Sequence, residues 1–350
     1  MKKLLSFCLV ALMPVSLVCS AEERSNNKKI LFIAGPQSHQ VGEHEHRAGC
    51  LLLIKALKES GLDVDTELYA MQKGDQHLWP QDENLFEEVD TAIVYADAAG
   101  RMDQKTLDRV QQAVDRGMGL MFIHYGVHPS VEVGEKYFMQ WIGGYFNNDV
   151  SVNPHWFATL TPNSEHPVKN GIDKVEANDE WYYNMLFNAE HQVLASALVV
   201  PERITKYNNI WHQPGDDQFG KQVAIMWANK PKDENASRGV GFTGGHYHSN
   251  WAVDNFRKLV LNAIVWTAKI DVPENGVESK PLTVEDMNRN IDGFAPDAVI
   301  DQIAMPSLTL DTIKVDARPE DPANYMANKR KAREAAQRKK EAERKAKEQQ

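Results

Sequence analysis

The sequence predicts an α/β protein built on a mainly parallel sheet, and three observations carry that prediction. Short apolar runs recur at 29–34 (KILFIA), 90–96 (DTAIVYA) and 119–123 (GLMFI); runs of this length, closed by glycine or polar turns, read as strands buried on both faces. Amphipathic helical patterns lie between them, at 43–60 and 103–116. Histidine-bearing turns follow the apolar runs that end near 34, 124 and 243, and the C-terminal strand ends of an open parallel sheet are where such folds place their chemistry.

The first segment is not fold. Lys2 and Lys3 precede an apolar run from Leu4 to Val18, with Val18-Cys19-Ser20 before Ala21, the pattern of a cleaved secretory signal over residues 1–20. A secreted or periplasmic protein is expected; Cys19 raises a lipoprotein, which Val18 before it fits poorly. No later run approaches the length of a membrane span. Only Cys50, and Cys19 if retained, would remain after cleavage, so disulfides do not stabilise the fold. The net charge of -10 and pI near 5.7 argue against a nucleic-acid partner for the main domain.

After the strand at 29–34, Gly35-Pro36 breaks the chain and His39, His44 and His46 follow. A helix is expected from Glu43 to Ser60, with Leu51, Ile54 and Leu57 at helical spacing and Gly61 as its stop. That start would put His44 and His46 in the first turn, where the helix dipole disfavours imidazolium and keeps the rings neutral, able to ligate or accept a proton; the alternative is solvated loop histidines. A strand at 63–69 alternates, 90–96 is buried, and a helix at 103–116 is capped by Asp103 and stopped by Gly117. The strand at 119–124 is expected to be central, with crossovers of one hand. A short helix at 135–142 ends in Gly143-Gly144. In VEANDEWYYNM (175–185), Asp179 and Glu180 read either as an anchor bonded to backbone amides or as a functional carboxylate pair. Strands are expected at 193–200, 222–228 and 239–243. Gly244-Gly245 then turns the chain, and Asn250 would cap a helix running to Lys269. The main domain spans 28–272. Residues 273–322 read as an extension with an amphipathic patch from Leu282 to Ile291, and 323–350 as a basic, charged helix or disordered tail, with ten basic and four acidic residues from Lys329 onward.

KKILFIAGPQSH, GLMFIHYG, EHPVKNGI with NDEWYY, and GFTGGHYHSNW followed by FRKLVLNAIVWTA together resemble the trehalose-utilisation, or ThuA-like, family across roughly residues 28–278. The resemblance implies a flavodoxin-like, class I glutamine amidotransferase-like doubly wound sheet, and a link to sugar catabolism, in particular of oxidised (3-keto) glycosides. Two departures matter. Amidotransferases carry a nucleophilic cysteine in the turn after the central strand, where this chain has His124-Tyr125-Gly126; ThuA-like proteins often have serine after the histidine, where this chain has Tyr125. Cys50 lies among leucines in a helix and reads as packed. No serine occupies a G-x-S-x-G turn.

Histidine and carboxylate chemistry is therefore expected. With the sheet wound as the resemblance implies, the turns after 34, 96, 124 and 243 converge on one rim and gather His39, His44, His46, Asp97, His124, His128, His246 and His248, with Glu180 nearby. Expected catalytic residues are His124, Tyr125, Asp179, Glu180 and His246, with His124 or Glu180 as proton carrier. His44, His46, His128 and His246 are candidate ligands for a zinc-like divalent ion. His39, His155, Trp156, Trp181, Tyr183, His248 and Trp251 are candidate contacts for a sugar, the aromatics alternatively being core. No nucleotide cofactor is expected. A metal would polarise a ketone or stabilise an enediolate beside a proton-transfer residue, which fits isomerisation, epimerisation or β-elimination of a 3-keto glycoside. The competing readings are a sugar- or metal-binding domain without turnover, and a structural domain whose histidines satisfy backbone carbonyls.

Overall fold

The structure is a computed structural model that describes residues 27–74, 79–97, 101–206 and 218–306, with the isolated positions 314, 331, 335, 338, 339 and 342. The expected signal segment and most of the basic tail lie outside the described residues. Strands β1 (Lys28–Ala34), β2 (Val64–Ala70), β3 (Thr91–Tyr95) and β4 (Gly119–Ile123) run parallel, as does β12 (Gly239–Phe242) beside β4. Their spatial order, β2-β1-β3-β4-β12, is the flavodoxin-like winding, in which the order reverses between β1 and β3. Side chains along β1 divide between two cores: Ile30, Phe32 and Ala34 join one cluster and Leu31 and Ile33 the other. That division is what a strand covered on both faces requires.

Helix α1 (His46–Glu59) and helix α3 (Asp254–Thr267) contribute to the first core, and α2 (Gln104–Asp115) to the second. The Asp103 side chain accepts from Thr106 N, as a helix cap does, and Gly117 follows at φ 94°. Beyond β12 the sheet continues in a sense the sequence did not reveal. β5 (Gly144–Tyr145) pairs with β8 (Leu186–Phe187) in a small separate ribbon. β6 (His155–Pro162), β7 (Val175–Asp179), β9 (Gln192–Leu198), β10 (Ile204–Lys206) and β11 (Gln222–Ala228) pair antiparallel and extend the main sheet to ten strands among the described residues.

Three expected boundaries move, each for a backbone reason. α1 starts at His46, because His44 has φ 53° and leaves the chain outside helical space; neither His44 nor Glu43 belongs to it. Asn250 does not cap α3, which begins after Val253; its amide donates to Asn178 O and to the Asp179 carboxylate. The segment 131–141 is helical but irregular, with a π turn over Gly134–Phe138.

The extension packs across α1. Leu282, Met287 and Ile291 are buried in the first core, and the short helix α4 (Val284–Asn288) begins with a reciprocal Thr283–Asp286 capping box. Lys55 pairs with Asp286 at 2.5 Å and Arg47 with Asp292 at 3.0 Å.

Candidate functional site

The loops after β1, β3, β4 and β12 meet at the C-terminal edge of the parallel strands. The loop carrying His39 to Glu45 is tied to the one carrying Gly244 to His248 by His44 N to His246 O at 2.9 Å and His248 N to Gly42 O at 2.9 Å. Asp179, at the end of β7, holds the second loop: its carboxylate accepts from Gly245 N at 2.7 Å, His246 N at 2.9 Å, Asn250 Nδ2 at 3.0 Å and Glu180 N at 2.8 Å. The anchor alternative therefore describes Asp179, and the catalytic expectation for it is corrected: its oxygens are committed to these donors. Tyr95 donates to Gly245 O from below.

These ties bring four buried side chains together. His44, His124, His246 and Glu180 each offer one donor atom, all within 4.8 Å of one another. His44 Nε2 lies 3.0 Å from His124 Nε2 and 3.0 Å from His246 Nδ1. Glu180 Oε2 lies 3.2 Å from His246 Nδ1 and 3.4 Å from His124 Nε2.

The outward nitrogens define which inward ones carry protons. His124 Nδ1 is 2.8 Å from Thr243 O, a carbonyl that only accepts, so this nitrogen donates, and in the neutral ring Nε2 carries the lone pair. His44 Nδ1 lies 3.0 and 3.1 Å from the two Asp97 oxygens, which leaves its Nε2 as a lone pair as well. Burial holds His44 neutral, at about 2, despite the opposing hydrogen bond to Asp97. On His246, burial acts against the cation, yet hydrogen bonds to Glu180 and Glu43 outweigh it and raise the group to about 9. A proton on His246 Nδ1 satisfies one edge of the cluster. It leaves His44 and His124 facing each other through two lone pairs at 3.0 Å, an arrangement that a shared cation relieves.

The donor set fits such an ion. Three imidazoles, His246 giving up its inward proton to the ion, and one carboxylate suit zinc and its first-row neighbours, and bonds of about 2.0–2.1 Å put tetrahedral donors roughly 3.3 Å apart. Each imidazole has the outer partner that metal-bound histidines use, namely Asp97 for His44, Thr243 O for His124 and, at 3.5 Å, Glu43 for His246. Burial works to raise Glu180, but the hydrogen bond from His246 and the neighbouring imidazoles keep it ionised, well below the usual carboxylate range.

The backbone is strained where this set is built. Among the buried site residues, His44 and His124 have φ of 53° and 55°, the left-handed region that histidine enters at a cost. His124 stands in the turn that directly follows β4.

Around the four donors, His155 Nε2 is 3.6 Å from Glu180 and its Nδ1 2.7 Å from Tyr247 Oη. Asn153 donates to Glu180 Oε1 at 2.8 Å. The mouth is formed by exposed Ser38 and His39 and by half-buried Glu43, Asp97, Tyr125 and Tyr247; the His39 ring lies over His44 with centroids 3.7 Å apart.

Several expectations are corrected by this geometry. His46 does not join the donor set: its Nδ1 bonds the Pro36 carbonyl oxygen at 3.3 Å, and its Nε2 lies 3.2 Å from Asp97 without a hydrogen bond. His128 is packed flat between Phe146 and Tyr125, with centroids at 3.6 and 4.1 Å, and burial lowers it to about 3. His248 is buried on the side of α4 and Met287. Trp156, Trp181, Tyr183 and Trp251 are wholly buried in the first core and offer no face to a sugar; the core alternative describes them. Tyr125 reaches the mouth, 6.2 Å from His44 between ring centroids. Cys50 is buried, which raises its thiol and leaves it inert.

Sequence reasoning missed Tyr182 and Glu43. Tyr182 Oη is 3.0 Å from His124 Nε2. An extended chain alternates its faces, so Glu180 and Tyr182 share one side while Trp181 and Tyr183 share the core side; applied to NDEWYY, that period would have selected Tyr182. Glu43 was hidden by the helix expected to start there.

Fold and site together define a flavodoxin-like α/β protein with a histidine–carboxylate centre at the strand ends. The chain belongs to the ThuA, or trehalose utilisation, family, whose model matches residues 29–267. A ThuA-like protein from Parabacteroides merdae has the same fold, with 17% identity and a TM-score of 0.51 over 75% of this chain and 99% of that one. A ThuA-like protein from Bacteroides uniformis (18% identity, TM-score 0.47, 68% of this chain and 91% of that one) and a cytoplasmic protein from Salmonella typhimurium (13%, 0.45, 69% and 98%) are also similar. Among curated proteins no match is found.

Proposed function

We propose that this protein is a metal-dependent enzyme of carbohydrate catabolism, acting on oxidised (3-keto) glycosides or sugars by proton transfer, with isomerisation or elimination as the outcome. One divalent ion sits among His44, His124, His246 and Glu180. The observation that supports this reading is the meeting of His44 Nε2 and His124 Nε2 at 3.0 Å while the other nitrogen of each ring donates elsewhere.

Such an ion would polarise a ketone oxygen and stabilise the enediolate formed when a neighbouring C–H is deprotonated. The chain's own residues do the rest. Asp97, Thr243 and Glu43 hold the three rings in register. The sequence-based expectation made His124 or Glu180 the proton carrier; with both in the donor set, that role passes to His155 or His39. His155 is the better placed, with one nitrogen oriented by Tyr247 and the other directed at Glu180. The family description supports the sugar, and the burial of the four donors strengthens each electrostatic contact. No nucleotide enters the reaction, and the first twenty residues direct the chain out of the cytoplasm.

Elemental analysis of purified full-length protein, followed by incubation with 3-keto-trehalose and NMR of the products, tests the reading. About one ion per chain and a changed sugar support it; neither ion nor product overturns it. A second reading, a metal- or sugar-binding domain without turnover, is favoured by the donor count, because four protein ligands can close a tetrahedral shell as structural sites do. It predicts a bound ion, thermal protection by the sugar and no product. N-terminal sequencing of the exported protein tests the signal, with a new terminus near Ala21 expected.

A further inference from the structure

Tyr182 is a buried hydroxyl whose partner is one of the proposed ligand atoms. Its side chain is fully buried, between the rings of His124 (centroids 4.9 Å), His128 (4.8 Å) and Phe146 (5.3 Å). Its hydroxyl lies 3.0 Å from His124 Nε2, which is a lone pair because Nδ1 donates to Thr243 O. In the metal-free protein the phenol is therefore the donor to that nitrogen.

An ion that takes the Nε2 lone pair removes the hydroxyl's acceptor. A buried hydroxyl without a partner is costly, so a replacement must come from within reach. His128 is tilted at 57° and Phe146 stands edge-on at 68° to the phenol ring, and neither His128 nitrogen bonds the hydroxyl. The Glu180 carboxylate already accepts from His246 and Asn153. A substrate oxygen held at such an ion, beside His124 Nε2, would be an acceptor within reach of the phenol.

Resting on the metal reading above, we propose that Tyr182 is a catalytic residue, donating a hydrogen bond to the substrate oxygen bound at the ion. It acts as half of an oxyanion site whose other half is the cation. A ketone oxygen gains negative charge as the neighbouring C–H is deprotonated, and the bond from Tyr182 strengthens at that point. No bond to Tyr182 forms or breaks. This narrows the substrate to one that presents an oxygen able to become anionic, a ketone or aldehyde rather than a fully reduced glycoside.

The test compares wild type, Tyr182→Phe and Tyr183→Phe, all full length and loaded with Co2+, whose visible absorption reports the shell. Acetohydroxamate, a small oxyanion chelator, is the probe, titrated into each protein. Tyr182→Phe is expected to hold as much Co2+ as wild type and to bind acetohydroxamate on the order of 10-fold more weakly. With a 3-keto sugar its kcat should fall on the order of 100-fold, with KM within about twofold. Tyr183→Phe, altered in the core, should match wild type in all three. Equal acetohydroxamate affinity in Tyr182→Phe and wild type overturns the proposal while leaving the metal reading intact. So does loss of Co2+ from Tyr182→Phe, which makes the hydroxyl a support for the ligands. If wild type itself takes no Co2+, the metal reading fails and the proposal falls with it.

Discussion

At the residue scale the centre rests on two histidines in left-handed backbone. A non-glycine residue there costs about 1–2 kcal/mol, and asparagine enters the same region more readily. His124→Asn relieves that backbone cost but takes the acceptor from the buried Tyr182 hydroxyl, so the unfolding temperature of metal-free protein should fall, by circular dichroism. Zinc affinity should fall by more than about 100-fold, as expected when a ligand itself is lost. Asp97→Asn keeps the shape of the partner that orients His44 but removes its charge. It should weaken zinc binding by about 10–100-fold without unfolding the protein, measured by competition with a chromophoric chelator. Far from the centre, burial, together with the charge of Arg238, lowers His166 to about 4, and its Nδ1 accepts from Val168 N at 3.2 Å. The unfolded chain takes up this proton near pH 6.5, so the contribution of His166 to stability is full above that pH. It is lost as pH falls toward 4. His166→Asn, which keeps an acceptor and cannot titrate, should flatten that acid limb in denaturation curves recorded between pH 7 and 4.

At the element scale, β12 has to approach its neighbours closely because the irregular helical segment before β5 lies against it. A Cβ on Gly239 would come within 1.8 Å of the Trp141 carbonyl oxygen, a clash with backbone that no rotamer relieves. Gly239→Ala should cost about 3 kcal/mol in urea unfolding, the upper range for overpacking. Elements whose period is carried by apolar residues were legible in the chain: β1, β3, β4, α2 and α3 follow their patterns closely. Those set by single backbone angles were not. Nothing in the composition of GEHEHR marks His44 as left-handed, so the helix there was read three residues too early. The antiparallel half escaped for a related reason. Its strands were legible one by one, but which strand pairs with which, and in which direction, depends on contacts distant in sequence.

The same limit operates at the scale of the whole molecule. The convergence of histidine turns on one rim follows from the winding of the sheet and was legible once that winding was expected. Which nitrogens point inward was not, because it depends on carboxylate and carbonyl partners contributed by other loops. His46 and His128 were plausible ligands by position, yet the Pro36 carbonyl takes one and the Tyr125–Phe146 stack the other. His124 and Glu180, expected to carry protons, lie in one buried cluster with His44 and His246, and the proposed reading makes them ligands. A centre assembled from four loops also links metal binding to folding. Zinc at 100 times its dissociation constant should add about 2.7 kcal/mol of stability, read as a concentration-dependent rise in unfolding temperature.

The most direct test of the central claim is X-ray absorption at the zinc edge of the zinc-loaded, full-length protein, paired with its metal content. The account predicts about one ion per chain, in a shell of three imidazole nitrogens and at least one oxygen at about 2.0–2.1 Å, with the imidazole signal reduced in His124→Ala and in His246→Ala. A chain that retains no zinc, or a shell that is unchanged in both variants, would contradict it.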